Sequence, residues 1–253
     1  MATAEASFEV RTDPDADFGE TLVVGTANLG LAGLTAIDYL VTHTLTDQAG
    51  HVATRDLPDI TPFTDGEPRH PMRIYTAQDS DISILISEVF VPLWAGDPLA
   101  DAVGTWVAER GIEEIVVAHG VPFPHGPDEH VVFHVGTPEF RERRIAGSDI
   151  QPLAGGFFDG FVGELMMRDL DGENPPTGVL VTPTHPPGPD FEGAIRFLDA
   201  FEALYGLEVD ETELRTRSEE MKQYFEELAE RMRAIEQGER LASRDYPEDR
   251  MYM

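Results

Sequence analysis

The sequence predicts a single three-layer α/β domain with a mostly parallel sheet, followed by an amphipathic helix and a flexible tail. Three observations carry this. Short apolar runs stand at 21–25, 114–118 and 178–182. Stretches with a helical apolar period stand at 29–45, 97–110 and 190–205. Strands that read as continuous hydrophobic runs, alternating with helices, belong to sheets covered on both faces. With 253 residues, 41% of them hydrophobic, the chain can build a sizeable core, which excludes general disorder.

The elements follow in order. Residues 1–19 form an acidic lead-in with Glu5, Glu9, Asp13, Asp15 and Asp17, and their lack of an apolar run matches neither a signal nor a transit peptide. Residues 20–209 form the α/β domain. The buried strand at 21–25 leads into a helix through Leu31, Leu34, Ile37, Leu40 and Val41. Extended pieces are expected at 51–57, 72–77 and 82–89. The helix at 97–110 admits Pro98 in its first turn and stops at Gly111. After the strand at 114–118 come an extended piece at 130–135, a helix at 156–170, the strand at 178–182 and a helix at 190–205 that ends at Gly206.

Residues 210–237 change character. Met221, Phe225, Leu228, Met232 and Ile235 follow a heptad seam in a charged background. They define an amphipathic helix, packed on its own domain or on a neighbouring subunit. The tail at 238–253 is polar, carries Pro247, and is expected to be solvated and flexible.

Charge narrows the function classes. Eighteen Lys+Arg stand against 48 Asp+Glu, a formal net charge of −30, and the single lysine is Lys222. Phosphate backbones are held by cationic side chains, so no nucleic-acid partner is expected. Two readings of the acidity stand open: the composition of a halophilic archaeon's salt-adapted protein, or an acidic face for a basic partner. Zero cysteines exclude disulfides, thiolate metal sites and a cysteine nucleophile. No stretch approaches the roughly 18 apolar residues of a membrane span, so no membrane is expected and the location expected is cytoplasmic.

The motifs give locations rather than an activity. Gly25, Gly30 and Gly33 punctuate a turn between strand and helix, but Leu31 and Ala32 stand where a phosphate loop needs Lys and Ser/Thr, and the dinucleotide spacing also fails. A tight turn with close helix–strand packing accounts for these glycines; anion binding at a helix N-terminus is the alternative. The loops at 120–127 and 183–189 follow strands, where open α/β sheets place their ligand crevices. A small-molecule pocket, for a nucleotide or nucleoside, would draw on Gly25, Asn28, Gly30, Glu88, His125 and His185. His119, His125, His130 and His134 are clustered in sequence, but their spacing matches no helix-face pair, and neither a metal site nor a cofactor is expected. No serine stands in a nucleophile-elbow context, and no catalytic residue is expected.

Leu22-Val-Val-Gly25, Gly30-Leu-Ala-Gly33, Gly50-His51, Leu57-Pro58, Gly66-Glu67-Pro68 with Arg73-Ile74-Tyr75, Ser87-Glu88, and Gly178-Val-Leu-Val-Thr182 occur in an order that resembles the PAC2 family, the proteasome assembly chaperone 2 proteins. The resemblance spans residues 20–235. It implies a domain of nucleoside-phosphorylase-like topology, a homo-oligomer, no established catalytic residues, and, for some members, binding to the 20S proteasome. Met251-Tyr252-Met253 resembles the hydrophobic–Tyr–any-residue ending (HbYX) with which proteasome activators and several assembly chaperones dock between α-subunits. In that setting a carboxylate pairs with a basic residue, Tyr252 is an amphipathic anchor, and a mobile tail lets several copies act together.

Overall fold

The computed structural model describes residues 6–244 except 59, 127–128 and 186–187, with side chains 234 and 236–244 also outside the description. Residues 1–211 and 212–253 are separate compact units.

The first unit is built on a nine-stranded sheet of order β1-β3-β6-β7-β2-β8-β11-β9-β10. Its centre consists of β7 (Ile82–Ser87), β2 (Thr21–Thr26), β8 (Glu114–Val121) and β11 (Thr177–Pro183), all parallel. These are the apolar runs of the sequence, and nearly every residue in them is buried, as a strand covered on both faces requires. The flanks depart from the parallel pattern. β6 (Met72–Ala77), β3 (Thr46–Arg55) and β1 (Ser7–Thr12) extend one side as an antiparallel series. On the other side β9 (Phe133–Gly136) runs antiparallel to β11, and β10 (Gln151–Pro152) adds the edge.

The acidic lead-in corrects one expectation: Ser7–Thr12 is an edge strand. Its outward residues are charged or polar, whereas Phe8 and Val10 pack against the core, a period-2 alternation within a charged segment. A hairpin of β4 (Phe63–Thr64) and β5 (Glu67–Pro68) lies outside the main sheet.

Helices cover both faces. Leu22 and Val24 of β2 join the core with Leu99, Val103 and Trp106 of α2 (Gly96–Arg110) and Phe161 and Leu165 of α4 (Gly160–Leu170). On the opposite face α1 (Ala32–His43) lies on β2 and β8 and beside α5 (Phe191–Tyr205). Between β9 and β10 come the short α3 (Pro138–Phe140) and a π-helical turn, Arg141–Ile145. Helix ends obey the local signals: Gly111 and Gly206 close α2 and α5 with φ of 70° and 68°, and Asp190 caps α5 by accepting a hydrogen bond from Gly193 N at 2.7 Å.

The second unit is α6 (Thr212–Arg244), 33 residues long. It runs through Gly238, where the sequence reading expects a stop. One interior glycine costs only about 1 kcal/mol, and Glu239, Arg240, Leu241 and Ala242 are good helix formers. Phe225, Leu228, Met232 and Ile235 of the seam are exposed on this helix. Among the described residues no helix is long and apolar enough to cross a membrane.

Candidate functional site

Three loops meet beyond the carboxyl ends of β2, β8 and β11. The turn after β2 is drawn to the other two by Asn28 Nδ2, which donates to Gly120 O at 3.0 Å, and by Gly30 O, which accepts from Asp190 N at 2.7 Å. The glycines make this approach possible. A Cβ on Gly25 would stand 2.6 Å from Ile37 of α1, and one on Gly33 would stand 2.1 Å from Ala118 O. Gly30, at φ +80°, has room only for hydrogen against Thr184. Gly25 and Gly33 thus serve close packing of α1 on the sheet, and Gly30 the approach of its turn to Thr184.

The first feature at these loops is a cleft of about 200 Å³ lined by Asn28, Leu29, Phe90, Leu93, His119 and Asp159, among others. Asn28 Nδ2 also donates to Nδ1 of His119 at 3.2 Å. That leaves the His119 hydrogen on Nε2. Burial pushes His119 down to about 4, with Asp159 partly opposing the shift, so the imidazole is neutral at pH 7. Asn28 Oδ1 is buried and accepts no hydrogen bond among the described residues. The exposed apolar side chains Leu29, Phe90 and Leu93 form the rim. Two larger cavities, of about 370 and 550 Å³, lie away from these loops, one around Leu40, His43 and Gly206, the other around Val52, Arg69 and His70.

The second feature is a histidine cluster. His125 and His185 come together with His130, one nitrogen of each lying within 4.8 Å of the others. The sequence expectation of no metal site compared histidines close in the chain. It grouped His119 and His134 with this set, whereas His119 lines the cleft and His134 is buried in β9. The third member of the observed cluster, His185, lies on a different loop.

Glu88 belongs elsewhere. Its carboxylate accepts from Arg69 Nη2 at 2.7 Å and Arg73 Nη1 at 3.2 Å. Arg73 is fully buried, with its Nη1 also on His70 O and its Nε on Tyr75 OH. The six residues assigned to one pocket from sequence therefore divide among packing glycines, a cleft residue, an ion-pair network and a histidine cluster. His119 and Asp159 are cleft residues the sequence reading missed. The location of His119 at the carboxyl end of a buried strand was the available signal. Met251, Tyr252 and Met253 lie outside the described residues.

Residues 22–229 match the model of the PAC2 family. The chain belongs to the PAC2 family. Among solved structures, this PAC2 chain is similar to Pyrococcus furiosus PbaA, titled an archaeal homolog of proteasome-assembly chaperone, with 20% identity and a TM-score of 0.78 over 95% of this chain and 100% of that one. It is similar to Pyrococcus furiosus PbaB, titled an archaeal proteasome activator, with 20% identity and a TM-score of 0.72 over 89% and 99% of the two chains. A Thermoplasma acidophilum protein of unknown function has 23% identity and a TM-score of 0.70 over 88% and 91%. At these identities the likeness is one of fold. No curated protein matches the sequence.

Proposed function

We propose that this PAC2 protein is a non-enzymatic, proteasome-associated chaperone or adaptor that engages the α-ring of the 20S proteasome through Met251, Tyr252 and Met253. The observation that carries the reading is the family match over residues 22–229, with a fold like those of PbaA and PbaB. The ending supports it chemically, because a tyrosine between two flexible apolar side chains offers a compact amphipathic anchor. A homo-oligomer would present several such tails at once, so weak individual contacts would sum. Exposed Leu29, Phe90, Leu93 and Trp94 are among the apolar surfaces available for that assembly, as is the α6 seam.

The test is retention of purified 20S proteasome, in molar salt, by the full chain and by a chain ending at Arg250. Retention only by the full chain is the expected result. Equal retention by both, or by neither, overturns the role of the tail.

A second reading is favoured by one observation. The neutral His119 and Asn28, whose Oδ1 accepts no hydrogen bond among the described residues, line the cleft beyond the carboxyl ends of β2, β7 and β8, as in a site for a small polar metabolite. A nucleoside, nucleotide or phosphate at 100 times its dissociation constant would stabilise the fold by about 2.7 kcal/mol. Thermal denaturation with each compound decides the matter, and no shift with any of them retires this reading.

A further inference from the structure

His125 and His185 stand sixty residues apart in sequence, yet their Nε2 atoms are 3.2 Å apart. On each ring the other nitrogen is committed. Nδ1 of His125 faces the carbonyl oxygen of Phe123 at 2.6 Å, and Nδ1 of His185 faces Oδ2 of Asp190 at 3.0 Å. Carbonyl and carboxylate oxygens accept, so Nδ1 carries the hydrogen in both rings. With Nδ1 committed on both rings, the two Nε2 atoms face each other as lone pairs unless a cation, a proton or a metal ion, lies between them. His130 brings a third imidazole, its ring centroid 4.6 Å from that of His125 and 5.1 Å from that of His185.

We propose that His125, His130 and His185 bind a divalent transition-metal ion of the zinc class, clamped between the loop after β8 and the loop after β11. Three features fit. Two nitrogens at about 2.0–2.1 Å from a tetrahedral zinc ion lie about 3.3–3.4 Å apart, close to the observed contact. The backbone carbonyl and the carboxylate behind His125 and His185 are the outer partners that fix a ligating imidazole and raise its basicity. Asp190 is itself buried and rigidly placed, accepting from Gly193 N and His185 N at 2.7 and 2.9 Å.

The surrounding charge is mixed. Asp190 and Glu192 favour a cation; Arg196 opposes one, but its guanidinium is turned to Thr182 Oγ1 and Pro183 O. Imidazole donors suit zinc, copper and nickel rather than magnesium or calcium. Three protein ligands leave a fourth position for water or an anionic group, as in zinc sites that act on a bound molecule rather than close upon themselves.

Calorimetric titration of chelator-treated protein with Zn(II), in molar salt, tests the assignment. One site per chain is expected. Asp190→Asn should weaken it about 10–100-fold, and His125→Ala and His185→Ala should weaken it further, while His70→Ala leaves it unchanged. The His125→Ala/His130→Ala/His185→Ala variant gives the baseline contributed by the 48 carboxylates. Circular dichroism checks that each variant is folded. Co(II), added in place of Zn(II), should show the intense visible absorption of tetrahedral coordination, and Zn(II) should raise the melting temperature of the wild type and of His70→Ala but not of the triple variant. Equal zinc uptake by wild type and triple variant overturns the proposal, assigning the 3.2 Å contact to a shared proton. Octahedral Co(II) spectra overturn it as well.

Discussion

Arg144 holds the carboxylate of Glu114 through a forked hydrogen bond, its Nε donating to Oε1 at 2.7 Å and to Oε2 at 3.0 Å. Glu114 opens the central strand β8 with its side chain fully buried, and Tyr205 OH, at the end of α5, donates to Oε1 at 2.9 Å. The Arg144 guanidinium also lies 4.7 Å from the centre of the Tyr205 ring. The pair joins the π-helical turn, the central strand and the last helix of the α/β unit at the end of the sheet opposite the loop cluster.

Removing the cation should therefore be costly. Arg144→Met leaves a buried carboxylate with only the tyrosine hydroxyl, and the loss expected is about 3–5 kcal/mol. Denaturant unfolding in molar salt measures it. Adding Glu114→Gln to Arg144→Met should recover part of the loss, because the stranded charge is then gone; a further drop would count against this account.

His119 sets an acid limit. Its folded value, about 4, lies below the ordinary 6.5, so between those values the unfolded chain binds the extra proton. Its contribution to stability is fully present above pH 6.5 and declines as pH falls toward 4, by an order of about 3 kcal/mol. Carboxylates titrate in the lower part of the same window. The informative quantity is therefore the difference between wild type and His119→Gln, which should shrink toward acid pH. A pH-independent difference would refute the assignment.

The packing role of Gly33 predicts a plain steric effect. A Cβ there meets Ala118 O at 2.1 Å, so Gly33→Ala must push α1 off the sheet. Overpacking of this kind costs about 1–3 kcal/mol. The melting temperature should fall even though alanine favours a helix.

Leu228→Glu probes the exposed seam of α6. If the seam joins copies of this chain, the substitution places a charge in an apolar interface and the assembly mass should fall, with the helical signal of the α/β unit retained. An unchanged mass by light scattering removes α6 from the interface.

Salt should stabilise the whole molecule. With a net charge of −30, self-repulsion is screened as the Debye length falls from about 10 Å at 0.1 M to about 3 Å at 1 M. The melting temperature is expected to rise over this range of KCl. A flat profile would speak against salt adaptation.

Much of the fold was legible along the chain because its signals are local. Val23, Val24, Val116, Val117, Leu180 and Val181 are apolar on both strand faces, so their burial is written in consecutive residues. Glycine and aspartate mark helix ends for reasons of backbone geometry that need no distant partner. β1 was hidden because Phe8 and Val10 alternate with charge, and an edge strand needs only one apolar face. The parallel centre follows from strand–helix alternation, whereas the antiparallel flanks depend on which edges remain free once that centre is built. The sites depend on tertiary structure even more. Glu88 stands at a strand end, as a pocket residue would, and only the folded chain brings Arg69 and Arg73 to its carboxylate. His185 meets His125 because two loops leave neighbouring parallel strands at the same end. Local sequence encodes burial and turns; the encounter of groups sixty residues apart is decided by the order of strands in the sheet.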